Sequence, residues 1–242
     1  MANEQQARRY ARARALVRRA VGRFSRFGDL DTLYDPSGRD ILDYGWAGDG
    51  DRAIALIERG ARSVAGFDLW WKGEDLERVG QLMAAAGVEQ NVDFRLADPY
   101  ATPFADDSFD IVVGASILHH LDLDRALGEI RRVLRPGGLG VFVEPLAHNP
   151  LMRLGRLLTP GAGSDAGRPL TEQDWALCAR HFRDFGHIER ELSTVPLMPL
   201  NLLLSDGAQD RLARRAWALD ERLMARFEGL RKYARITFLL LE

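Results

Sequence analysis

The order of apolar and polar positions from residue 41 onward predicts strands that alternate with helices. The strand-length apolar runs lie at Ile41-Leu42, 63–68, 92–96, 110–115 and 139–144. Helical patterns between them cover 53–59, 74–86 and 124–134, and they end at Gly60, Gly87 and Pro136-Gly137-Gly138. Strands and helices that alternate in this way are typical of a parallel sheet covered by helices. We therefore expect an α/β fold.

The pattern beyond Pro145 is less regular. Residues 146–170 lose periodicity and include a glycine-rich loop at 159–167, after which Thr171 predicts the cap of a helix that reaches about Phe182. The remainder predicts a strand at 187–192, a helix within 195–232 and a buried strand at 236–241. The helix is expected to carry on one face Leu212, Ala216, Leu219, Leu223 and Phe227.

Residues 8–27 combine a regular apolar stripe with many arginines. Eight arginines lie between Arg8 and Arg26, and the apolar positions recur at three- and four-residue spacing as Tyr10, Ala13, Val17, Ala20, Val21, Phe24 and Phe27. This spacing predicts an amphipathic helix whose apolar side packs on the main domain and whose arginines face solvent. A nucleic-acid or acidic-lipid surface is the alternative interpretation of the same arginines.

Length and composition fit one globular domain with attachments. The 242 residues are 46% hydrophobic and 28% charged, which is enough to bury a full core. We expect an N-terminal helical cap at 1–36 and a main domain at 37–242, with lid insertions at about 146–170 and 195–232.

Charge and cysteine content argue against several classes of protein. A net charge of −2 and a pI near 6.2 disfavour a dedicated nucleic-acid binder, which is normally basic. The single cysteine, Cys178, excludes an intramolecular disulfide framework and a four-cysteine zinc site. The cytoplasm is the expected compartment, because the sequence has no early apolar run and its apolar stretch at 195–204 is interrupted by Pro196 and Pro199.

The most informative segment for function is Asp43-Tyr44-Gly45-Trp46-Ala47-Gly48-Asp49-Gly50. It follows the apolar pair Ile41-Leu42, precedes a helical pattern, and ends eighteen residues before a second acidic strand end at Asp68. A strand that ends at an acidic residue and continues into closely spaced glycines lets backbone N–H groups approach a ligand at the start of the next helix. This βαβ unit predicts a site for a nucleotide-type cofactor.

Further motifs in the same order resemble the class I, Rossmann-like methyltransferases that depend on S-adenosylmethionine (SAM). The resemblance covers about 41–145 and rests on the glycine segment, Asp68, Leu96-Ala97-Asp98, 103–110, Leu118-His119-His120-Leu121 and 133–138. It implies methyl transfer from SAM to a small molecule, which leaves S-adenosylhomocysteine (SAH). The implied fold is a Rossmann-like, seven-stranded, mostly parallel sheet with helices on both faces. Its antiparallel last strand, 236–241, lies between the fifth and sixth.

The resemblance also implies cofactor contacts. Asp68 accepts both ribose hydroxyl protons, because one carboxylate offers two acceptors to a vicinal diol, and Asp98 accepts from the adenine amino group. Leu69 and Trp70 cover the adenine face, and the glycine segment holds the methionine end. Strand-end solvation of the two aspartates and core packing of Trp70 are the alternative interpretations. The full implied set is Asp43, Gly45, Trp46, Gly48, Gly50, Asp68, Leu69, Trp70, Asp98, Pro99 and Ser116.

The glycine segment departs from the family pattern at Trp46. The usual pattern is Asp-x-Gly-x-Gly-x-Gly, whereas this chain carries what resembles one extra residue. Either Ala47 replaces the second glycine in register, or the chain bulges at Trp46-Ala47 and the motif resumes at Gly48. The tryptophan then either packs on the sulfonium through a cation–π contact or narrows the cofactor pocket. A SAM-binding protein with another outcome, intramolecular SAM cyclisation or a non-catalytic partner subunit, is therefore the alternative hypothesis.

Candidate bases follow the fourth and fifth predicted strands, where ligands of parallel sheets lie. The first pair is His119 and His120, and the second is Glu144 with His148. A base is needed only for some acceptors, since methyl transfer requires mainly an acceptor atom in line with the methyl carbon. We expect no metal, because no further His or Cys has ligand spacing to the paired histidines. Helix-start packing is the alternative role for those histidines.

The acceptor is expected to be a small, largely apolar molecule. The overall charge supplies no electrostatic attraction for a polyanion, so nucleic acid is not an expected partner. The sequence leaves a homodimer open. The residues expected to line the acceptor pocket, for which core packing is the alternative, are Leu151, Met152, Leu197, Met198, Leu202 and Leu203.

Overall fold

The computed structural model describes residues 27–45, 50–68, 73–158 and 167–242, and these form a seven-stranded sheet with helices packed against it. The predicted N-terminal amphipathic helix lies outside the described residues except for its last position, Phe27. Four predicted cofactor residues also lie outside the described residues: Trp46, Gly48, Leu69 and Trp70.

The sheet has the seven strands and the inserted antiparallel last strand that the resemblance implies. The strands are β1 (Asp40–Asp43), β2 (Ser63–Asp68), β3 (Val92–Leu96), β4 (Phe109–Ala115), β5 (Leu134–Pro145), β6 (Phe185–Arg190) and β7 (Ile236–Leu241). Their order is β3-β2-β1-β4-β5-β7-β6. Neighbours among β1 to β5 are parallel, whereas β7 is antiparallel to both β5 and β6. The predicted fold class is confirmed.

Six α-helices connect or flank these strands in the described part of the chain. They are α1 (Asp51–Glu58), α2 (Gly73–Ala86), α3 (Leu123–Val133), α4 (Pro150–Leu158), α5 (Trp175–His181) and α6 (Asp206–Arg226). Short 3-10 segments include Phe27–Thr32, Leu118–His120, Glu172–Asp174, Val195–Leu202 and Glu228–Tyr233. Helix α4 lies in the stretch 146–170, where the sequence pattern predicted no regular element. None of the described helices is long and apolar enough to cross a bilayer.

Strand β5 begins earlier than predicted. Leu134 already pairs with Phe109 of β4, so α3 ends at Val133 and the Pro136-Gly137-Gly138 turn belongs to an irregular start of β5. A Cβ on Gly138 would lie 3.0 Å from the backbone oxygen of Asp110, which explains the need for glycine where the two strands approach.

The predicted apolar face of α6 is buried only in part. Leu219 and Phe227 are about half exposed, at 49% and 53%, and the buried positions are Gln209, Ala213, Ala216, Asp220 and Met224. Asp220 faces inward because its carboxylate accepts hydrogen bonds from the backbone N–H groups of Leu192 at 2.8 Å and Ser193 at 2.9 Å, just after β6. These bonds provide acceptors for two backbone N–H groups after β6 that would otherwise be left unpaired.

The two faces of the sheet carry separate apolar cores. Val141 and Val143 of β5 belong to the cluster that includes α1 and α2. Phe142, between them, belongs to the cluster of α3 and α5. Glu144 has the parity of Phe142, because side chains alternate between the faces of a strand. This places its carboxylate on the α3 side, at the carboxyl end of β5.

Candidate functional site

Three acidic residues that the sequence predicts to bind the cofactor lie near one edge of the sheet, at the carboxyl ends of β1, β2 and β3. Asp43 and Asp68 are the last residues of β1 and β2, and Asp98 lies two residues beyond β3. The strands are adjacent, and Asp68 pairs with Leu96. Ligands of parallel sheets lie outside this edge. The structure therefore brings these predicted cofactor residues together.

Asp43 is buried, and only one of its carboxylate oxygens has a hydrogen-bond partner. Its Oδ1 accepts from Arg52 Nη1 at 3.4 Å, whereas Oδ2 is buried with no partner among the described residues. Burial raises the pKa of Asp43 to about 6, against the attraction of Arg52. A buried, unpaired carboxylate oxygen fits a ligand that brings a positively charged donor, as the ammonium group of SAM does.

Asp68 is also buried, with 3% of its surface exposed at the end of β2. The next described residue is Gly73, so the adenine-covering residues predicted after Asp68 are outside the described part of the chain.

A tyrosine within the glycine segment links the first strand to the Asp98 turn. The fully buried Tyr44 donates a hydrogen bond from its hydroxyl to the backbone oxygen of Pro99. Its ring packs edge-on against Phe67 of β2 at 4.9 Å. Asp98 is exposed and accepts from the backbone N–H of Tyr100 at 2.8 Å, which forms a tight turn. Tyr44 thus fixes the position of the predicted adenine-binding turn.

Glycine is required at two ends of the segment for different reasons. Gly45 has φ +70°, and a Cβ there would lie 2.3 Å from Cγ1 of Ile117. Gly50 has φ +100° at the start of α1, in the left-handed region that side chains disfavour. Ser116 at the end of β4 is also left-handed, with φ +54°, and its N–H donates to the Val143 oxygen at 2.8 Å. Gly45 thus lets the chain after β1 approach the turn after β4, while Ser116 joins that turn to β5.

Glu144 pairs with His119. Its Oε1 accepts from the backbone N–H groups of Ile117 at 2.9 Å and Leu118 at 2.8 Å. Its Oε2 lies 2.6 Å from His119 Nδ1 and 3.4 Å from the His119 backbone nitrogen. Because the carboxylate only accepts, we assign the imidazole proton to Nδ1, which leaves Nε2 as the acceptor. A carboxylate that orients an imidazole in this way is typical of a general base.

The predicted grouping of Glu144 with His148 is not what the structure contains. Glu144 is fully buried, and its carboxylate accepts hydrogen bonds from the backbone of 117–119. His148 is half-buried beyond the end of β5. His120 is exposed, and its ring centroid lies 4.0 Å from that of His119. Among the described residues, no cluster of three or more His, Cys, Asp or Glu side chains is arranged to hold a metal ion.

His148 lines a cavity of about 470 Å³ beside the carboxyl ends of β5 and β6. The cavity contains the His187 imidazole, which stacks on Trp175 at 5.1 Å and lies 2.5 Å from Glu189 Oε1 through its Nδ1. Its other lining residues are Leu146, Thr171, Glu172, Glu228, Arg231 and Lys232. Three of the apolar acceptor candidates do not line this cavity: Leu151 and Leu203 are exposed, and Leu197 packs against Ala213, while the side chains of Met198 and Leu202 lie outside the described part of the chain. An apolar acceptor pocket therefore stays a prediction.

Tyr44 and Arg52 are site residues that the sequence pattern did not predict. For Tyr44, the local signal is a large aromatic residue between an acidic strand end and a glycine. For Arg52, the signal is a basic residue in the first turn of a helix, where the helix dipole disfavours positive charge unless a nearby acid compensates it. Arg52 has two such acids, Asp43 and Asp31, the second at 3.9 Å.

Comparison with known proteins identifies a methyltransferase domain in this chain. Residues 42–142 match the methyltransferase domain family. A ubiquinone/menaquinone biosynthesis C-methyltransferase of Geotalea daltonii is 37% identical over 120 residues, which are 49% of this chain and 50% of that protein. A demethylmenaquinone methyltransferase of Thermobifida fusca is 35% identical over 149 residues, which are 61% of this chain and 57% of that protein. The chain thus spans about half the length of the curated relatives it matches.

A solved structure extends the likeness beyond the matched domain. The SAM-dependent methyltransferase of Mesorhizobium loti superposes with a TM-score of 0.56 at 20% identity, over 89% of this chain and 96% of that one. At this identity the likeness concerns the fold. The match over 42–142 shows that this part of the chain is a methyltransferase domain, and the sheet order shows that the chain has the Rossmann-like fold of SAM-dependent methyltransferases.

Proposed function

We propose that this protein transfers a methyl group from SAM to a small molecule in the cytoplasm and releases SAH. The observation that carries the proposal is the set of carboxylates at the ends of adjacent strands, beside a glycine segment whose Asp43 has a buried oxygen with no hydrogen-bond partner among the described residues. When bound, SAM supplies an electrophilic methyl group on a positively charged sulfur. The protein then has to hold the cofactor and align the acceptor.

The proposed cofactor roles follow the strand ends. Asp43 accepts from the ammonium group at the methionine end, Asp68 accepts from both ribose hydroxyl groups, and Asp98 accepts from the adenine amino group. The buried Tyr44 keeps the Asp98 turn in place through Pro99. The contacts that remain predictions on the family pattern are those of Gly45, Trp46, Gly48, Gly50, Leu69, Trp70, Pro99 and Ser116.

SAH binding is expected to weaken as the pH falls through about 6. The bound ammonium group favours the ionised form of Asp43, so binding lowers a pKa that burial raises to about 6 in the free protein. Affinity should be constant above pH 7 and fall by about tenfold per pH unit well below 6. Calorimetric titration with SAH between pH 5 and 8 measures this. Asp43→Asn should bind more weakly at pH 7 and lose the pH dependence; an unchanged profile would refute the assignment of Asp43.

We propose that the proton of an acidic acceptor is taken by His119, which Glu144 orients. His119 lies directly after β4, beside the proposed methionine end at Ser116, and its Nδ1 is held by Glu144 at 2.6 Å. Two relatives of 35–37% identity are named for quinone methylation. We therefore propose a hydroxylated ring compound, such as a quinol, as the acceptor class. Loss of its hydroxyl proton makes the ring more nucleophilic.

Removal of the imidazole should lower turnover far more than cofactor affinity. His119→Ala is expected to reduce kcat by about 10²- to 10⁴-fold with SAH affinity within about twofold. His119→Asn is the matched control for structure, since its amide can still donate to Glu144 but supplies no base. It should be folded and equally inactive. His148→Ala should retain most activity. The base assignment fails if His119→Asn turns over at the wild-type rate, and it passes to His148 if only that variant is inactive.

Product analysis separates methyl transfer from the alternative outcomes. The protein is incubated with SAM and a panel of demethylated quinols and other hydroxylated ring compounds, and the mixture is examined by mass spectrometry. We expect SAH together with a product heavier by one CH₂ unit. SAM loss without SAH would indicate intramolecular cyclisation. Tight binding of SAM without consumption across the panel, and in the presence of co-purifying proteins, would indicate a non-catalytic subunit.

A further inference from the structure

A chain of charged groups connects the cofactor carboxylate to the segment that precedes β1. Arg52, in the first turn of α1, lies 3.4 Å from Asp43 Oδ1 through Nη1 and 3.9 Å from Asp31 Oδ2 through Nε. Asp31 also accepts from the hydroxyl of Tyr34 at 2.7 Å. Arg52 is therefore shared by two carboxylates on different elements, one at the cofactor edge and one in the 3-10 segment Phe27–Thr32.

The segment at 27–35 has a second, independent attachment to α1. Arg59, at the other end of that helix, donates to the backbone oxygen of Asp31 at 2.8 Å. Its guanidinium also lies 5.9 Å from the ring centre of Tyr34. Leu30 is completely buried in the core on the same face. Arg59 has no contact with Asp43, so the structure separates an anchor that reaches the cofactor edge from one that does not.

Among the described residues, the group around Arg52 has more negative than positive charge. Two carboxylates there face one guanidinium, and Oδ2 of the buried Asp43 accepts no hydrogen bond from the described part of the chain. A positively charged ligand group at Oδ2 satisfies that oxygen and reduces the attraction between Asp43 and Arg52. The guanidinium then gains more from Asp31, whose partly exposed carboxylate is already within ion-pair distance.

We propose that Arg52 is a positioning residue that moves from Asp43 toward Asp31 when the ammonium group of the cofactor binds, and that cofactor binding thereby tightens the anchoring of residues 27–35. The proposal rests on the assignment of Asp43 to the methionine end. It adds a link between the occupancy of that site and the stability of a segment that has no proposed contact with the cofactor.

The charged groups that face Asp43 predict that replacing Arg52 and replacing Asp31 shift the pH midpoint of SAH binding in opposite directions. Arg52 of α1 stabilises the ionised form of Asp43, whereas Asp31 of the 3-10 segment destabilises that form. Tyr34 holds Asp31 in place through a hydrogen bond. Arg52→Met should therefore raise the pH midpoint of SAH binding by about one unit. Asp31→Asn should lower it, because Arg52 then pairs with Asp43 alone. A purely structural role for Arg52 would weaken binding by the same factor at every pH.

The test combines calorimetry with hydrogen exchange of the full chain, using SAH as the probe. In the wild type, saturating SAH should slow amide exchange in peptides that cover 27–35. Arg52→Met should bind SAH at pH 8 yet lose this slowing. The matched control, Arg59→Met, should exchange faster in this segment with and without SAH, but keep both the slowing and the wild-type pH midpoint. If Arg52→Met does not fold, Arg52→Lys replaces it, with a midpoint shift of the same sign and a smaller size.

The outcomes separate this proposal from the one on which it rests. Wild-type SAH affinity in Asp43→Asn would remove the methionine-end assignment and the link together. A persistent response of 27–35 to SAH in Arg52→Met, or the same pH midpoint in the wild type, Arg52→Met and Asp31→Asn, would overturn the link while the role of Asp43 stands.

Discussion

Replacement of Glu144 by alanine is expected to lower the free energy of unfolding by about 3–5 kcal/mol. The fully buried carboxylate accepts from the backbone N–H groups of Ile117 and Leu118 and pairs with the His119 imidazole at 2.6 Å. Alanine leaves these donors in the core with no acceptor and creates a cavity between β5 and the turn after β4. Urea denaturation followed by circular dichroism measures the loss.

Two further variants serve as controls for the stability loss expected in Glu144→Ala. Glu144→Gln keeps one carbonyl oxygen for the backbone of the turn, so it should lose less stability than Glu144→Ala. Glu77→Ala, at an exposed position of α2, should stay within about 0.5 kcal/mol of the wild type. A loss below about 1 kcal/mol in Glu144→Ala would mean that water or a rearranged turn satisfies the donors, and that Glu144 does not hold His119 in place.

Replacement of Asp68 by alanine is expected to weaken SAM and SAH binding at least tenfold. The proposed ribose contact consists of two charge-assisted hydrogen bonds, each worth about 1.5–3 kcal/mol. Asp68 is 3% exposed, so a binding loss has to be distinguished from a folding defect. Asp68→Asn preserves the side-chain shape and removes the charge and one acceptor. It should fold and still bind more weakly than the wild type in a calorimetric titration.

Other acidic residues of the same strand region provide the comparison for Asp68. Asp98→Ala should cost less affinity, because Asp98 is exposed and adenine is also held by apolar and backbone contacts. Asp93→Ala, on β3 and paired with Arg95 at 2.7 Å, should leave affinity unchanged. The ribose assignment is wrong if folded Asp68→Asn and Asp68→Ala proteins both bind SAH as tightly as the wild type.

The arrangement divides the proposed chemistry between the two halves of the sheet. Cofactor groups lie at the ends of β1, β2 and β3, whereas the oriented imidazole follows β4 and is held from β5. Gly45 allows these halves to approach, because it has no side chain against Ile117. A proton acceptor and a methyl donor can therefore be positioned by different strands of one rigid sheet.

The sequence by itself determined the alternation of strands and helices and the positions of the strand-end acids. Apolar runs that stop at Asp43 and Asp68 define where two strands end, and parallel strands place such ends at one edge. Asp98, two residues beyond β3, follows from the same rule. The position of 236–241 between β5 and β6 came from the family resemblance rather than from periodicity, and the structure confirms it.

Only the tertiary structure decided which polar groups pair. Glu144 binds the 117–119 turn instead of the nearby His148, Arg52 is shared by Asp31 and Asp43, and Asp220 turns one side of α6 inward. The partners of Glu144 lie 25–27 residues earlier in the chain, and those of Asp220 lie 27–28 residues earlier. Hydrophobic periodicity records which face of an element is buried. It does not record which buried backbone group requires a carboxylate, because that requirement arises only when distant elements pack together.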